Sequence, residues 1–221
     1  MPKTETETAA PTPTGPDLDR PDSHAVLVSH WHVGDRATGR TVLDEITDAW
    51  QRTPRPKDIL SFSCYLSVEG DTVMTYAQCS DASAYRPHLR TLPVQSARRE
   101  PTEYRLYRSV LTGDPGETPG ALVTALFDVD GPERQRFITD TIAARLEAAP
   151  RAEHTGLIAS HFHAGIDGTR VTNFAEWTTD EAHIAFLEGN TRHGNLRATR
   201  QTPGVRPIGH RRYHLYRILE G

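Results

Sequence analysis

Along residues 121–129, Val123, Ala125, Phe127 and Val129 alternate with other residues at the two-residue period of a strand that buries one face. Gly131-Pro132-Glu133 then marks a helix start, with a proline early in the first turn and an acid beside the helix N-terminus. Phe137, Ile138, Thr141, Ile142 and Leu146 follow at helical spacing and predict one apolar stripe facing a core. The period returns to two over Gly156 to Ala164 and Arg170 to Thr178, and Ile166-Asp167-Gly168 between them has the Asp-Gly chemistry of a hairpin turn. A second helix is predicted from Asp180 to about Gly189, and a last strand from Gly209 to Leu219. The earlier part of the chain repeats this order, with Val42, Leu43, Ile46 and Trp50 on its long helix and Glu69-Gly70-Asp71 at its hairpin. Strand, helix, two strands, helix, strand is the ferredoxin-like βαββαβ unit.

The repetition extends to the residues themselves. The stretch from Ala25 to Val33 aligns with Ala121 to Val129 at an offset of 96, and Gly70 to Ala77 with Gly168 to Ala175 at 98. Tyr104-Arg105-Leu106-Tyr107-Arg108 aligns with Tyr213-His214-Leu215-Tyr216-Arg217 at 109, so about 11 extra residues precede the final block of the second copy. Three matches in the same order predict a tandem duplication. Residues 1–22, rich in Thr, Pro, Glu and Asp, are expected to form a disordered tail. The first repeat then spans 23–111, a Gly- and Pro-rich linker 112–120, and the second repeat 121–221. One such unit covers only one face of its sheet with helices, so the other face needs a partner. The predicted fold is therefore α+β: two fused ferredoxin-like units packed sheet to sheet as a pseudo-dimeric α/β barrel within one chain. The interior between the sheets is the expected place for a small molecule.

Composition narrows the class of partner. Among 221 residues, 25 Lys and Arg face 29 Asp and Glu, a net charge of −4 that argues against a nucleic-acid binder. No apolar run approaches the roughly 20 residues needed to cross a bilayer, and the N-terminus lacks the apolar core of a signal peptide, so a soluble cytoplasmic protein with no membrane partner is expected. Cys64 and Cys79 are read as reduced thiols in a packed interior.

Candidate chemistry gathers in the second repeat. Asn173 and Trp177, four apart on a strand, share a face with Val171 and Ala175. An amide and an indole N–H in an apolar pocket can hold a carbonyl or phenolate oxygen, while a packing Trp and a turn-capping Asn are the structural alternative. The aligned first-repeat residues are Thr75 and Cys79, so that copy is expected to be degenerate. His161 and His163 alternate on one strand, as do His30 and His32, but no nearby Glu or Cys completes a ligand set, so no metal is expected. No glycine-rich dinucleotide fingerprint follows a strand and no phosphate-binding loop occurs, so no nucleotide cofactor is expected either.

The stretch from His161 to Trp177, a hairpin ending in Asn173-Phe174-Ala175-Glu176-Trp177 and followed by an acidic helix start, resembles the antibiotic biosynthesis monooxygenases of the dimeric α/β-barrel superfamily. The resemblance runs over about residues 23–221 and is stronger in the second repeat. It implies a cofactor-independent oxygenase that oxidises a polyphenolic, often polyketide-derived, substrate to a quinone, with O2 as co-substrate. It also implies roles for further residues: His163 as a proton-transfer group, Arg197 as the cation facing the substrate anion, and His183 where some members carry a Tyr. Two other readings stay open, a heme-binding or heme-degrading barrel and a non-oxidative polyketide-binding or cyclase-like protein. Further association of two such chains as a homodimer also stays open.

Overall fold

The computed structural model describes residues 15–114 and 116–220. The first repeat runs β1 (Ala25–His32), α1 (Arg36–Arg52), β2 (Ile59–Ser67), β3 (Thr72–Cys79), α2 (Tyr85–Thr91) and β4 (Thr102–Leu111). The second runs β5 (Ala121–Val129), α3 (Pro132–Ala148), β6 (Leu157–Gly165), β7 (Arg170–Trp177), α4 (Asp180–Leu187), α5 (Asn190–Gln201) and β8 (Val205–Glu220). Every predicted element is present. The additional helix α5 occupies the place where the repeat offsets locate extra residues.

The eight strands close into one barrel in the order β1-β3-β2-β8-β5-β7-β6-β4, with β4 returning to β1 through Val26 and Tyr104. All neighbouring pairs are antiparallel. The seams between the repeats are made by their last strands: β4 bridges β1 and β6, and β8 bridges β5 and β2. Val110 of β4 thereby packs under the second repeat's helices, and Leu219 of β8 under those of the first. A pair of pseudo-symmetric straps reinforces the seams. Tyr107 on β4 donates its hydroxyl to Asp140 on α3 at 3.1 Å, and Tyr216 on β8 donates to Asp44 on α1 at 2.7 Å. The odd spacing of each Tyr pair sends its other member, Tyr104 or Tyr213, into the barrel.

Three apolar bodies result. Two lie between the sheet and the helices, one in each repeat, and the third fills the barrel itself. Because Val26, Val28, Tyr65, Met74, Tyr76, Tyr104, Phe174 and Tyr213 pack together there, the barrel interior is mostly solid. This narrows the expectation of a ligand space between the sheets: large aromatic rings from both repeats meet across the axis, and a cavity of about 160 Å³ remains, lined by His30, Met74, Thr124 and Tyr213 among others. The end of the stretch expected to be a tail is folded against the barrel. Leu18 is 4% exposed and joins the interior cluster, and the Asp17 carbonyl accepts from the Gln78 amide at 2.7 Å. Residues 15–22 thus cap one end of the barrel, while 1–14 lie outside the described residues. Both cysteines are free and buried in the first repeat's core, where burial pushes the Cys79 thiol up to about 12. No helix among the described residues is long and apolar enough to cross a membrane.

Candidate functional site

The largest cavity, about 330 Å³, lies in the second repeat between the sheet and helices α3, α4 and α5. Its floor is the outer face of the sheet: Val123, Ala125 and Phe127 from β5, Leu157, Ser160 and Phe162 from β6, and Asn173, Ala175 and Trp177 from β7. Ile142 and Leu146 of α3 form one wall, His183, Phe186 and Leu187 around α4 another. Helix α5 forms the roof with Arg192, Asn195, Leu196, Thr199 and Arg200, and Ile208, 59% exposed, stands with His210 near the mouth. Arg145 of α3 ties the roof down by donating to Asn195 Oδ1 at 3.1 Å. Gly194 lies against that guanidinium, which a β-carbon there would push aside. No first-repeat residue lines this cavity.

Polar atoms on these walls lack partners inside the protein. Ser160 donates its hydroxyl to Asn173 Oδ1 at 2.9 Å, which leaves the Asn173 NH2 group free to point into the cavity. Trp177, 2% exposed, packs against Phe186 and edge-on against His183, with ring centroids 5.2 and 5.3 Å away. Its indole N–H and the Nδ1 of His183 are both buried without a hydrogen-bond partner among the described residues. Buried polar atoms are nearly always satisfied, and the first repeat carries a matching pair of orphans in the Trp50 N–H and the His88 Nε2. Burial, reinforced by the nearby His210 and Arg212, pushes the His183 imidazole down to about 4. At neutral pH it is an uncharged ring. His210 lies edge-on to it at 5.5 Å and is likewise pushed down, chiefly by burial and then by Arg192 and Arg212.

The expected site residues divide. Asn173, Trp177 and His183 come together on one cavity, but His163 and Arg197 do not reach it. His163 stands on the opposite face of the sheet, fully buried in the barrel interior against Tyr76 and Phe174. Its Nδ1–H donates to the His161 carbonyl at 3.0 Å, so Nε2 is the acceptor for the Tyr76 hydroxyl at 3.1 Å. Burial holds this ring neutral, down to about 3. His161 bridges Ser109 at 2.9 Å and Glu176 at 3.3 Å inside the barrel. Arg197 projects from the exposed side of α5, a helix where the sequence suggested a charged loop. Arg192, Arg200, Ser160 and His210 line the cavity without having been singled out. The 3–4-residue spacing of 192, 195, 196, 199 and 200 was the available signal, weak because Leu196 alone among them is apolar. Among the described residues no group of three or more His, Cys, Asp and Glu side chains is placed to hold a metal ion.

No protein-family model matches the chain, and no curated protein matches it. Solved structures do. An anthrone oxidase-like protein superposes with a TM-score of 0.71 at 12% identity, over 90% of this chain and 94% of its own. A monooxygenase-like protein of Listeria innocua gives 0.53 at 11%, over 87% and 94%. A ferredoxin-fold protein of Listeria monocytogenes related to antibiotic biosynthesis monooxygenases gives 0.51 at 12%, over 88% and 95%. At these identities the similarity is one of fold. The chain shares the fold of these structures over most of its length.

Proposed function

We propose that the protein is a cofactor-independent monooxygenase that oxidises a polyphenolic, polyketide-type aromatic to a quinone with O2, using the second-repeat cavity alone. The observation that carries the reading is that Asn173, Trp177 and His183 line one helix-roofed cavity with a largely apolar floor, the Trp177 N–H and the His183 Nδ1 being unpartnered among the described residues. The fold shared with monooxygenase-related structures supports it.

A flat hydroxylated ring system seats on Phe162, Ala175 and Val123. The neutral His183 imidazole accepts the phenolic proton, and the donors of Asn173 and Trp177 face the resulting oxyanion, worth most in a site that excludes water. The phenolate passes one electron to O2, and the substrate radical and superoxide combine to form a C–O bond. His183 returns the phenolic proton to the peroxide, and loss of the ring C–H proton with O–O cleavage then leaves the second carbonyl and releases water. One O2 enters, one oxygen stays in the quinone and the other leaves as water.

A hydroxylated anthrone in an oxygen-electrode cell tests this, with quinone absorbance followed in parallel. The expected result is one quinone formed per O2 consumed, no turnover without O2, and a loss of at least about a hundredfold in kcat for Asn173→Ala with Trp177→Phe at unchanged circular dichroism. O2 uptake no faster than in protein-free buffer, or a double variant as active as the parent, overturns the reading.

A further inference from the structure

The cavity is apolar over its floor, yet its charged groups are all of one sign. Two arginines, Arg192 and Arg200, and two histidines line it, and no aspartate or glutamate does. Neither guanidinium makes an ion pair with a carboxylate among the described residues, whereas their neighbours Arg145 and Arg212 are engaged with Asn195 and Asp180. The two arginines lie eight residues apart on α5, about 12 Å along its axis at 1.5 Å per residue, and both line the cavity, Arg192 half-buried and Arg200 exposed to solvent. The whole chain carries a net charge of −4, so the bias belongs to this cavity and not to the composition. An unpaired guanidinium on an apolar wall is a fork of donors shaped for a carboxylate, and a pair of them raises the local concentration of anions.

We propose that the natural substrate carries, besides its phenolic ring system, a free carboxylate that docks on Arg192 and Arg200 beneath the roof. The inference rests on the reading of this cavity as the substrate site and specifies the chemical class that the site selects. The oxidised ring lies over the floor beside Asn173 and Trp177, and the carboxylate lies against α5. The arginines therefore determine specificity and orientation and take no part in the electron transfer.

A matched pair of probes tests it by calorimetric titration, where no turnover is needed: 1,8-dihydroxyanthraquinone and its 3-carboxylic acid, each against the full chain. The carboxylated probe is expected to bind at least about tenfold more tightly at about 20 mM salt, and the preference to shrink severalfold at about 300 mM. In Arg192→Gln with Arg200→Gln the two probes should bind alike. Since neither side chain makes an ion pair within the protein, this variant is expected to unfold at the parent's temperature. Equal affinities in the parent, a preference indifferent to salt, or a preference that survives in the double variant overturns the proposal. Those outcomes leave the oxygenase reading intact. Absence of O2 consumption alongside a salt-sensitive preference overturns the oxygenase reading and leaves the carboxylate site standing. If neither probe binds, both fail.

Discussion

Beneath the helices of the two repeats, equivalent positions carry different volumes. Trp50 on α1 corresponds to Leu146 on α3 at an offset of 96, and Phe62 on β2 to Ser160 on β6 at 98. In the first repeat these two rings stack at 3.8 Å, only 13° from parallel, and Tyr85 and His88 close around them. In the second, the same two positions are lined by an aliphatic side chain and a hydroxyl, and the space stays open. The tryptophan has moved as well: it comes from the helix in one repeat and, as Trp177, from the strand in the other, where Cys79 is the counterpart. Both copies therefore keep a Trp–His contact, at 4.7 Å for Trp50–His88 and 5.3 Å for Trp177–His183. The lesson is a division of labour by side-chain volume. The same backbone unit serves as a solid support when the helix supplies the large ring and as a vessel when the strand does. The roof over that vessel is a helix the first repeat lacks.

The comparison breaks most sharply on stability. Trp50→Ala should cost about 4 kcal/mol in urea unfolding, because a close-packed core cannot collapse into the space left. Trp177→Ala should cost at least about 1 kcal/mol less, since part of that ring already borders open volume; equal losses would mean that the two cores are packed alike. Next comes acid. His163 and His183 are neutral when folded, with values pushed to about 3 and about 4, whereas in the unfolded chain they titrate near 6.5. The unfolded state therefore binds more protons as pH falls below about 6.5, and the stability present above that value drains away toward pH 3. Between about pH 6.5 and 5 the two together should remove about 3 kcal/mol, and His163→Gln with His183→Gln should flatten that limb more than His88→Gln does. The smallest change in free energy is the most telling about function. Giving the second repeat the first repeat's residues, Leu146→Trp with Ser160→Phe, should weaken binding of a dihydroxyanthraquinone at least about a hundredfold, or about 2.7 kcal/mol, with the melting temperature held or raised. Undiminished binding would place the ligand outside this cavity.

Much of this was legible in residue patterns. Asp167-Gly168 fixed the hairpin, and the jump in offset from 98 to 109 anticipated an element that proved to be α5. What periodicity could not say is which face of each strand looks inward. In β3 every residue is buried, because one face meets the helices and the other meets the aromatic interior. The shared face of Asn173 and Trp177 was therefore readable, but not its direction. His163 was misplaced for a related reason. A bulge between Leu157 and Ala159 inserts one residue, so Leu157, Ser160 and Phe162 share the cavity face while His161 and His163 turn inward. Arg197 fell away because on a helix it lies about 100° from its neighbours Leu196 and Ala198, whereas 192, 196, 199 and 200 fall on one side. Leu18 was invisible among Pro and Asp, since one apolar residue in a polar stretch shows no period at all.

The seam between β2 and β8 pairs Phe62 with Leu219, residues 157 apart in the chain. During synthesis the first repeat emerges whole, yet β2, buried along nearly its entire length in the finished barrel and paired on one side with β3, has its other edge open until β8 has been made. For that interval the nascent protein exposes an apolar strand edge, the kind of surface that recruits other chains. Closure of the barrel is then expected to be slow and concentration-sensitive, so refolding yield, more than melting temperature, is where a weakened β8 should first be felt.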